Sequence, residues 1–141
     1  MVGTLLDGML FSQDPVEKLH RDLRSALPAE IPVHLHTLPE KWNPNMGLVV
    51  VVADGTPQSG DTAHNRDLVS VTVYAPSFDL ARKMGRSIAD YLFSPYGGLG
   101  LSISRARSTR PIVGPSSLRG GFISTASYSC GTSRRRISDG N

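Results

Sequence analysis

A chain of 141 residues, 39% of them hydrophobic, is long enough for one domain that buries about two thirds of the surface its unfolded form exposes, so disulfides are unnecessary. The lone Cys130 has no second cysteine to bridge, and in a predicted strand it reads as a small core residue rather than a nucleophile. The N-terminus lacks the Lys/Arg of a secretory signal and no apolar run approaches membrane-spanning length, which predicts a soluble, mature chain. The net charge of +3 is mild, but it is unevenly spread: Arg105, Arg107, Arg110, Arg119 and Arg134 to Arg136 fall in the last third, an asymmetry that favours polyanions.

In chain order, Leu5, Leu6, Met9 and Leu10 suggest a short helix over Thr4 to Phe11, weakened by Gly8. A better helix follows. Asp14, Pro15 and Glu17 supply an N-cap, a proline at the first helical position and an acid at the third. Val16, Leu19, Leu23, Ala26 and Leu27 mark its buried side, Glu17, Lys18, Arg21, Asp22 and Arg24 its solvated side, and Pro28 ends it. Ile31 to Leu38 reads as a short strand, with Pro32, which has no amide to donate, suggesting an edge or a strand start. Pro39 to Gly47, with Trp42, is a loop.

The run Leu48 to Ala53 is apolar without alternation, which argues for a strand covered on both faces at the centre of a sheet. Asp54-Gly55 breaks it, and a polar loop leads to the strand Asp67 to Ala75, where Val69, Val71 and Val73 face one way and Ser70, Thr72 and Tyr74 the other. Pro76 stops that strand. Ser77 then caps a helix with Asp79 in its first turn and Phe78, Ala81, Gly85, Ile88 and Leu92 at helical spacing, a stripe that should pack on the sheet. Ser94 to Gly98 terminates it. Leu101 to Arg107 follows as a strand, Ser108 to Gly121 as an extended excursion rich in Pro, Gly and Ser, and Phe122 to Cys130 as a last strand with Phe122, Ala126, Tyr128 and Cys130 on one side. The basic stretch from residue 131 to Asn141 holds little that would pack and is expected to be mobile, leaving 1–130 as a single domain.

Motifs for chemistry are weak. Gly55 to Thr62 nearly spells a phosphate-binding loop, but Asp61 stands where lysine is needed and a strand follows instead of a helix. His34 and His36, two apart on a strand, share the face a zinc ion would use, yet two ligands do not make a site. Neither Ser87 nor Ser116-Ser117 matches a nucleophile elbow. No cofactor and no enzymatic activity are therefore expected. Arg105 and Arg107 share a strand face in the alternation, and with Arg110 and Arg119 they would form a basic strip that neutralises phosphates without reading sequence. Aromatic residues for base stacking are not interleaved with them in the chain.

The capped helix, the edge strand, the Val-rich strand, the polar loop, the strand Leu68-Val69-Ser70-Val71-Thr72-Val73-Tyr74-Ala75, the helix Phe78 to Leu92 and the final Ser/Thr-rich strand together resemble the tail terminator proteins of long-tailed (siphophage-type) bacteriophages, over most of Pro15 to Cys130. The resemblance rests on element order rather than on an invariant motif. It implies a small structural virion subunit, assembled in the host cytoplasm, that forms a hexameric ring. That ring caps the tail tube, stops its polymerisation and presents a surface to the head connector. Its partners would be copies of itself, the tail tube protein and the head-closure protein, with non-specific contact to passing DNA and none to membrane; other neck and minor tail proteins share size and fold, and a nucleic-acid-binding module is a more distant alternative.

The fold expected is α/β of the α+β kind: one mixed, mainly antiparallel sheet with two main helices on one face and long loops for ring assembly. A ring needs one surface of a subunit to meet a different surface of the next. The contacts expected are Gly55, Thr56, Gln58, Asp61, His64 and Arg66 in the loop between the two valine-rich strands, and Arg110, Ile112, Val113 and Leu118 in the later excursion. Arg105, Arg107, Arg134, Arg135 and Arg136 are candidates for contact with DNA passing through the lumen or with other polyanions.

Overall fold

A computed structural model describes residues 14–55, 66–97, 101–116 and 120–131; the expected helix over Thr4 to Phe11 and the basic C-terminal stretch lie outside them. The first described element, α1 (Pro15–Ala26), starts where Asp14 Oδ1 accepts the Val16 amide at 3.0 Å. Strand β1 (Val33–Leu35) leads through a 3-10 turn (Pro44–Met46) to β2 (Val49–Asp54) and β3 (Arg66–Ala75). Helix α2 (Phe78–Leu92) begins at Ser77, whose Oγ accepts the Leu80 amide at 3.2 Å. Three further strands follow among the described residues: β4 (Ser102–Ser104), β5 (Ile112–Pro115) and β6 (Phe122–Gly131).

The six strands form one mixed sheet in the order β1-β2-β3-β6-β4, with β5 also on β6. Only β1 and β2 run parallel; the other pairs are antiparallel. This is the expected α+β plan. The spine is β3 with β6, paired continuously from Arg66↔Gly131 to Ala75↔Phe122, so β3 rather than the valine run holds the middle. β4 and β5 share the far side of β6, β4 at its C-terminal end and β5 at its N-terminal end.

Both helices pack on one face. Val16, Leu19 and Leu23 of α1 and Ile88, Ala89 and Leu92 of α2 join Val50, Val52, Val69, Val71, Val73, Ala126, Tyr128 and Cys130 in one core. Each fully buried leucine or isoleucine there contributes about 1.5–3 kcal/mol relative to exposure. The other face of the valine run is covered by its own connection: Val49 and Val51 pack under Trp42, with Leu38 and Tyr74 beside them. Trp42 meets Tyr74 edge-on at 5.5 Å and donates its Nε1–H to the Gly47 carbonyl at 3.1 Å. The absence of alternation in Leu48 to Ala53 thus has its physical cause.

Several expectations are corrected. The excursion from Ser108 to Gly121 contains β5, and a turn through Gly120 and Gly121, at φ 78° and 73°, lets Ser116 donate back to the Gly121 carbonyl at 3.0 Å. The expected strand Ile31 to Leu38 shrinks to three residues because His36 adopts φ 75°, where the Thr37 amide turns back to the Leu35 carbonyl at 2.9 Å. That γ-turn breaks the alternation, so His34 and His36 are not two positions of one strand face. Asp22, expected in solvent, is 2% exposed, while Ala26 is exposed. Phe78, expected in the core, is 50% exposed, and Ser124 takes the buried place on β6 while Phe122 is only partly covered.

Helix α2 lies close on the sheet through Gly85. A Cβ there would collide with Ser124 Oγ and approach Pro111 Cβ to 3.3 Å. Ser124 Oγ is buried there without a hydrogen-bond partner among the described residues. A polar contact joins the helix layer: Tyr91 of α2 donates its hydroxyl to Asp22 Oδ1 of α1 at 2.7 Å. This hydrogen bond, with help from burial and the Asp22 charge, pushes the Tyr91 pKa up to about 12.

Candidate functional site: a basic groove at the far edge of the sheet

A groove of about 800 Å³ separates α2 from the segment that joins β4 to β5. One wall is built by helical periodicity. Phe78, Arg82, Arg86, Ala89, Asp90 and Phe93 follow the three- and four-residue steps that place side chains above one another on a helix. Arg82 and Arg86, one turn and about 6 Å apart along the axis, are both exposed.

The other wall is a loop pinned to β6. After β4 the chain turns at 105–107 rather than continuing as a strand, which corrects the expected shared strand face of Arg105 and Arg107. Ser108 and Thr109 then replace the missing ladder with side-chain bonds. Ser108 Oγ donates to the Ser104 carbonyl at 2.6 Å and accepts the Ser129 amide at 3.0 Å. Thr109 Oγ1 accepts the Ser127 amide at 2.8 Å, while the Thr109 amide donates to the Ser127 carbonyl at 2.8 Å. Short Ser and Thr side chains suit this because they can stand in for backbone partners. Arg105 and Arg110 are thereby held on a wall with fixed hydrogen bonding.

Arg105 also lays its guanidinium over the Phe93 ring at 4.6 Å from the centroid, and Phe93 packs against Tyr128 at 5.6 Å. That cation–π contact contributes about 0.5–1 kcal/mol at an exposed site. Phe78, at the other end of the helix, meets Phe122 edge-on at 6.0 Å and keeps half its surface open. The groove therefore holds four arginines and one carboxylate, Asp90, between two aromatic rings. No described carboxylate forms a salt bridge with any of the four; the ion pair present on α2 is Lys83 with Asp79, at 3.1 Å on its outer side. Burial, with the negative charge of Asp90 next in importance, pushes the Tyr128 phenol up.

The sequence candidates are dispersed over several places. Arg105, Arg110 and Val113 line the groove. Ile112, the next residue along β5, projects to the opposite sheet face and is 72% exposed. Arg107 sits in the turn, its amide donating to Ser104 Oγ at 3.2 Å. Gly55 continues the β2–β3 pairing by donating to the Leu68 carbonyl at 2.8 Å. Arg66 opens β3 opposite Gly131. Thr56, Gln58, Asp61, His64, Leu118, Arg119, Arg134, Arg135 and Arg136 lie outside the described residues.

Sequence reading missed Arg82 and Arg86 as site residues. The signal was present: two arginines four apart on the polar side of a helix bounded by Phe78 and Phe93. The fold also brings Phe93 under Arg105, twelve residues on in the chain, and sets Phe78 against Phe122. The histidines do something else: His20 Nε2 lies 2.9 Å from the Val33 carbonyl at the outer edge of β1. Among the described residues, no three His, Cys, Asp or Glu side chains gather as a metal site would require, and no helix is long and apolar enough to cross a membrane. No protein-family model matches the chain, and comparison with curated proteins and with solved structures finds no match to either.

Proposed function

We propose that this chain is a structural assembly subunit of the tail-terminator type, which closes into a ring with copies of itself and stops growth of a tube by capping its end. The observation that carries this reading is the surface at the far edge of the sheet. Half-exposed Phe78 lines a groove whose described residues include four arginines and no lysine, and exposed Ile112 stands on the opposite face of the same edge strand, β5. Arginine and aromatic residues are the types enriched where proteins meet, and large apolar side chains left in water by a monomer mark contact surfaces.

The sheet edges favour side-chain docking over strand addition. Pro115 lies within β5, which it can do only with its amide-free nitrogen turned away from β6. With Pro111 just before the strand, the outer side of β5 has a single amide, that of Val113, to offer a neighbour. At the other edge, His20 reaches the Val33 carbonyl and Thr37 occupies that of Leu35. Such blunted edges suppress open-ended pairing. A closed ring fits this arrangement, because growth by strand addition is resisted while a defined heterologous contact is left open.

Native mass measurement of the purified chain, followed by negative-stain imaging with and without isolated tail tubes, tests the reading. Annular particles that also appear at tube ends are expected. A chain that stays monomeric at high concentration and never decorates a tube end overturns it.

A further inference from the structure

We infer that the groove between α2 and the 105–113 segment is a docking site for an acidic, extended polypeptide segment of a partner protein, one that alternates carboxylates with apolar side chains. The inference deepens the assembly reading, on which it rests, by naming the chemistry of the partner that this face takes.

Charge is the first argument. Arg82, Arg86, Arg105 and Arg110 face one another across the groove, and among the described residues of its lining Asp90 is the one opposing charge. Arginine forks pair carboxylates in bidentate fashion, which adds geometric specificity to the attraction of four exposed guanidinium groups. Shape is the second. About 800 Å³ is the size of a site for a short segment, whereas a duplex interface spreads its cations over about 1,000 Å² or more of surface. Apolar lining is the third. Half-exposed Phe78, together with Pro111 and Val113, offers contacts that alternate with the arginines. A sugar-phosphate chain leaves those contacts in water, while an extended peptide, whose side chains alternate about every 3.3 Å, satisfies both kinds. The face of Phe93 nearest the groove is already covered by Arg105, which removes one of the two rings from base stacking.

The test uses the full chain and a fluorescein-labelled twelve-residue peptide of alternating Glu and Leu with one Phe, read by anisotropy. The double variant R82E/R86E should weaken binding at least tenfold. R21E/R24E, which changes the net charge equally on the exposed side of α1, should leave it within about twofold. Asp90→Asn should tighten binding about threefold, a gain that a misfolded variant does not produce. Phe78→Ala should weaken the Glu/Leu/Phe peptide and leave a plain oligo-glutamate unaffected. Indifference to R82E/R86E overturns the inference. So does tighter binding of a twelve-nucleotide single strand or a twenty-base-pair duplex that is lost in the same variant, which would make the groove a nucleic-acid site. Because the peptide is read on the isolated chain, failure here with rings still forming sinks only the docking site; peptide binding without rings sinks only the assembly reading.

Discussion

At the scale of single residues, the Tyr91–Asp22 pair carries the clearest consequence. Asp22 is almost fully buried on α1, and such a group is expensive to hold without partners. The Tyr91 hydroxyl is one of them. Since the folded pKa of Tyr91 is raised from 10.0 to about 12, the unfolded chain releases that proton first as pH rises. The stabilisation is therefore full below about pH 10 and is lost between about pH 10 and about pH 12. Tyr91→Phe should lower stability by about 1–2 kcal/mol near neutral pH. Denaturant melts across the alkaline range should also show a shallower decline over that window for the variant, and an unchanged slope would refute the assignment. Asp22 reads as solvated in the sequence because Arg21 and Arg24 stand close to it in the chain; its bond to Tyr91 of α2, 69 residues later, is invisible there.

For helices and strands, the contact between α2 and β6 is decided by the absence of a side chain. Alanine is ordinarily the better helix former by about 1 kcal/mol. At position 85 its methyl would meet Ser124 and Pro111, and overpacking of this kind costs about 1–3 kcal/mol. Gly85→Ala is therefore expected to lower the thermal midpoint by several degrees despite the gain in propensity. Adding Ser124→Gly, which removes the colliding atoms, should recover much of the loss; a stabilised single variant would show that the helix can shift outward freely. The same contact explains why Gly85 falls in the predicted apolar stripe at the right spacing: it is core by closeness rather than by hydrophobicity.

For the molecule as a whole, the chain presents a smooth, blunted sheet edge on one side and an arginine-rich groove with apolar rims on the other. The proposed ring brings such a surface against a different one on the neighbour. Ile112 is the probe. At 72% exposure it contributes little to the stability of the monomer, so Ile112→Asp should shift the thermal midpoint negligibly. In a ring built through the β5 edge, whose outward face carries Ile112, a carboxylate there should abolish annular particles in native mass spectra. Rings that persist in the Ile112→Asp variant would move the interface elsewhere, to the loop between β2 and β3 or to another face. Added salt should weaken assembly further if the groove arginines take part, since exposed charges are screened within about 8–10 Å.

Local chemistry determined a good deal by itself. Asp14-Pro15 and Pro76-Ser77 mark the helix starts, because a cap and a proline act on the backbone within one turn. The valine alternation in β3 names its buried face, and the uninterrupted valines of β2 announce that both faces are covered, because a strand side chain has only two directions. None of this told which groups remote in sequence would meet. That Trp42 roofs the second face, that Asp22 lies beneath Tyr91, that β5 hides in a Pro- and Gly-rich stretch, and that Arg82 and Arg86 face Arg105 and Arg110 across one groove were all decided by sheet order. A four-residue strand that follows one proline and ends on another leaves almost no periodic signal, and a charged residue looks the same in sequence whether its neighbours across the fold are water, a ring or another guanidinium.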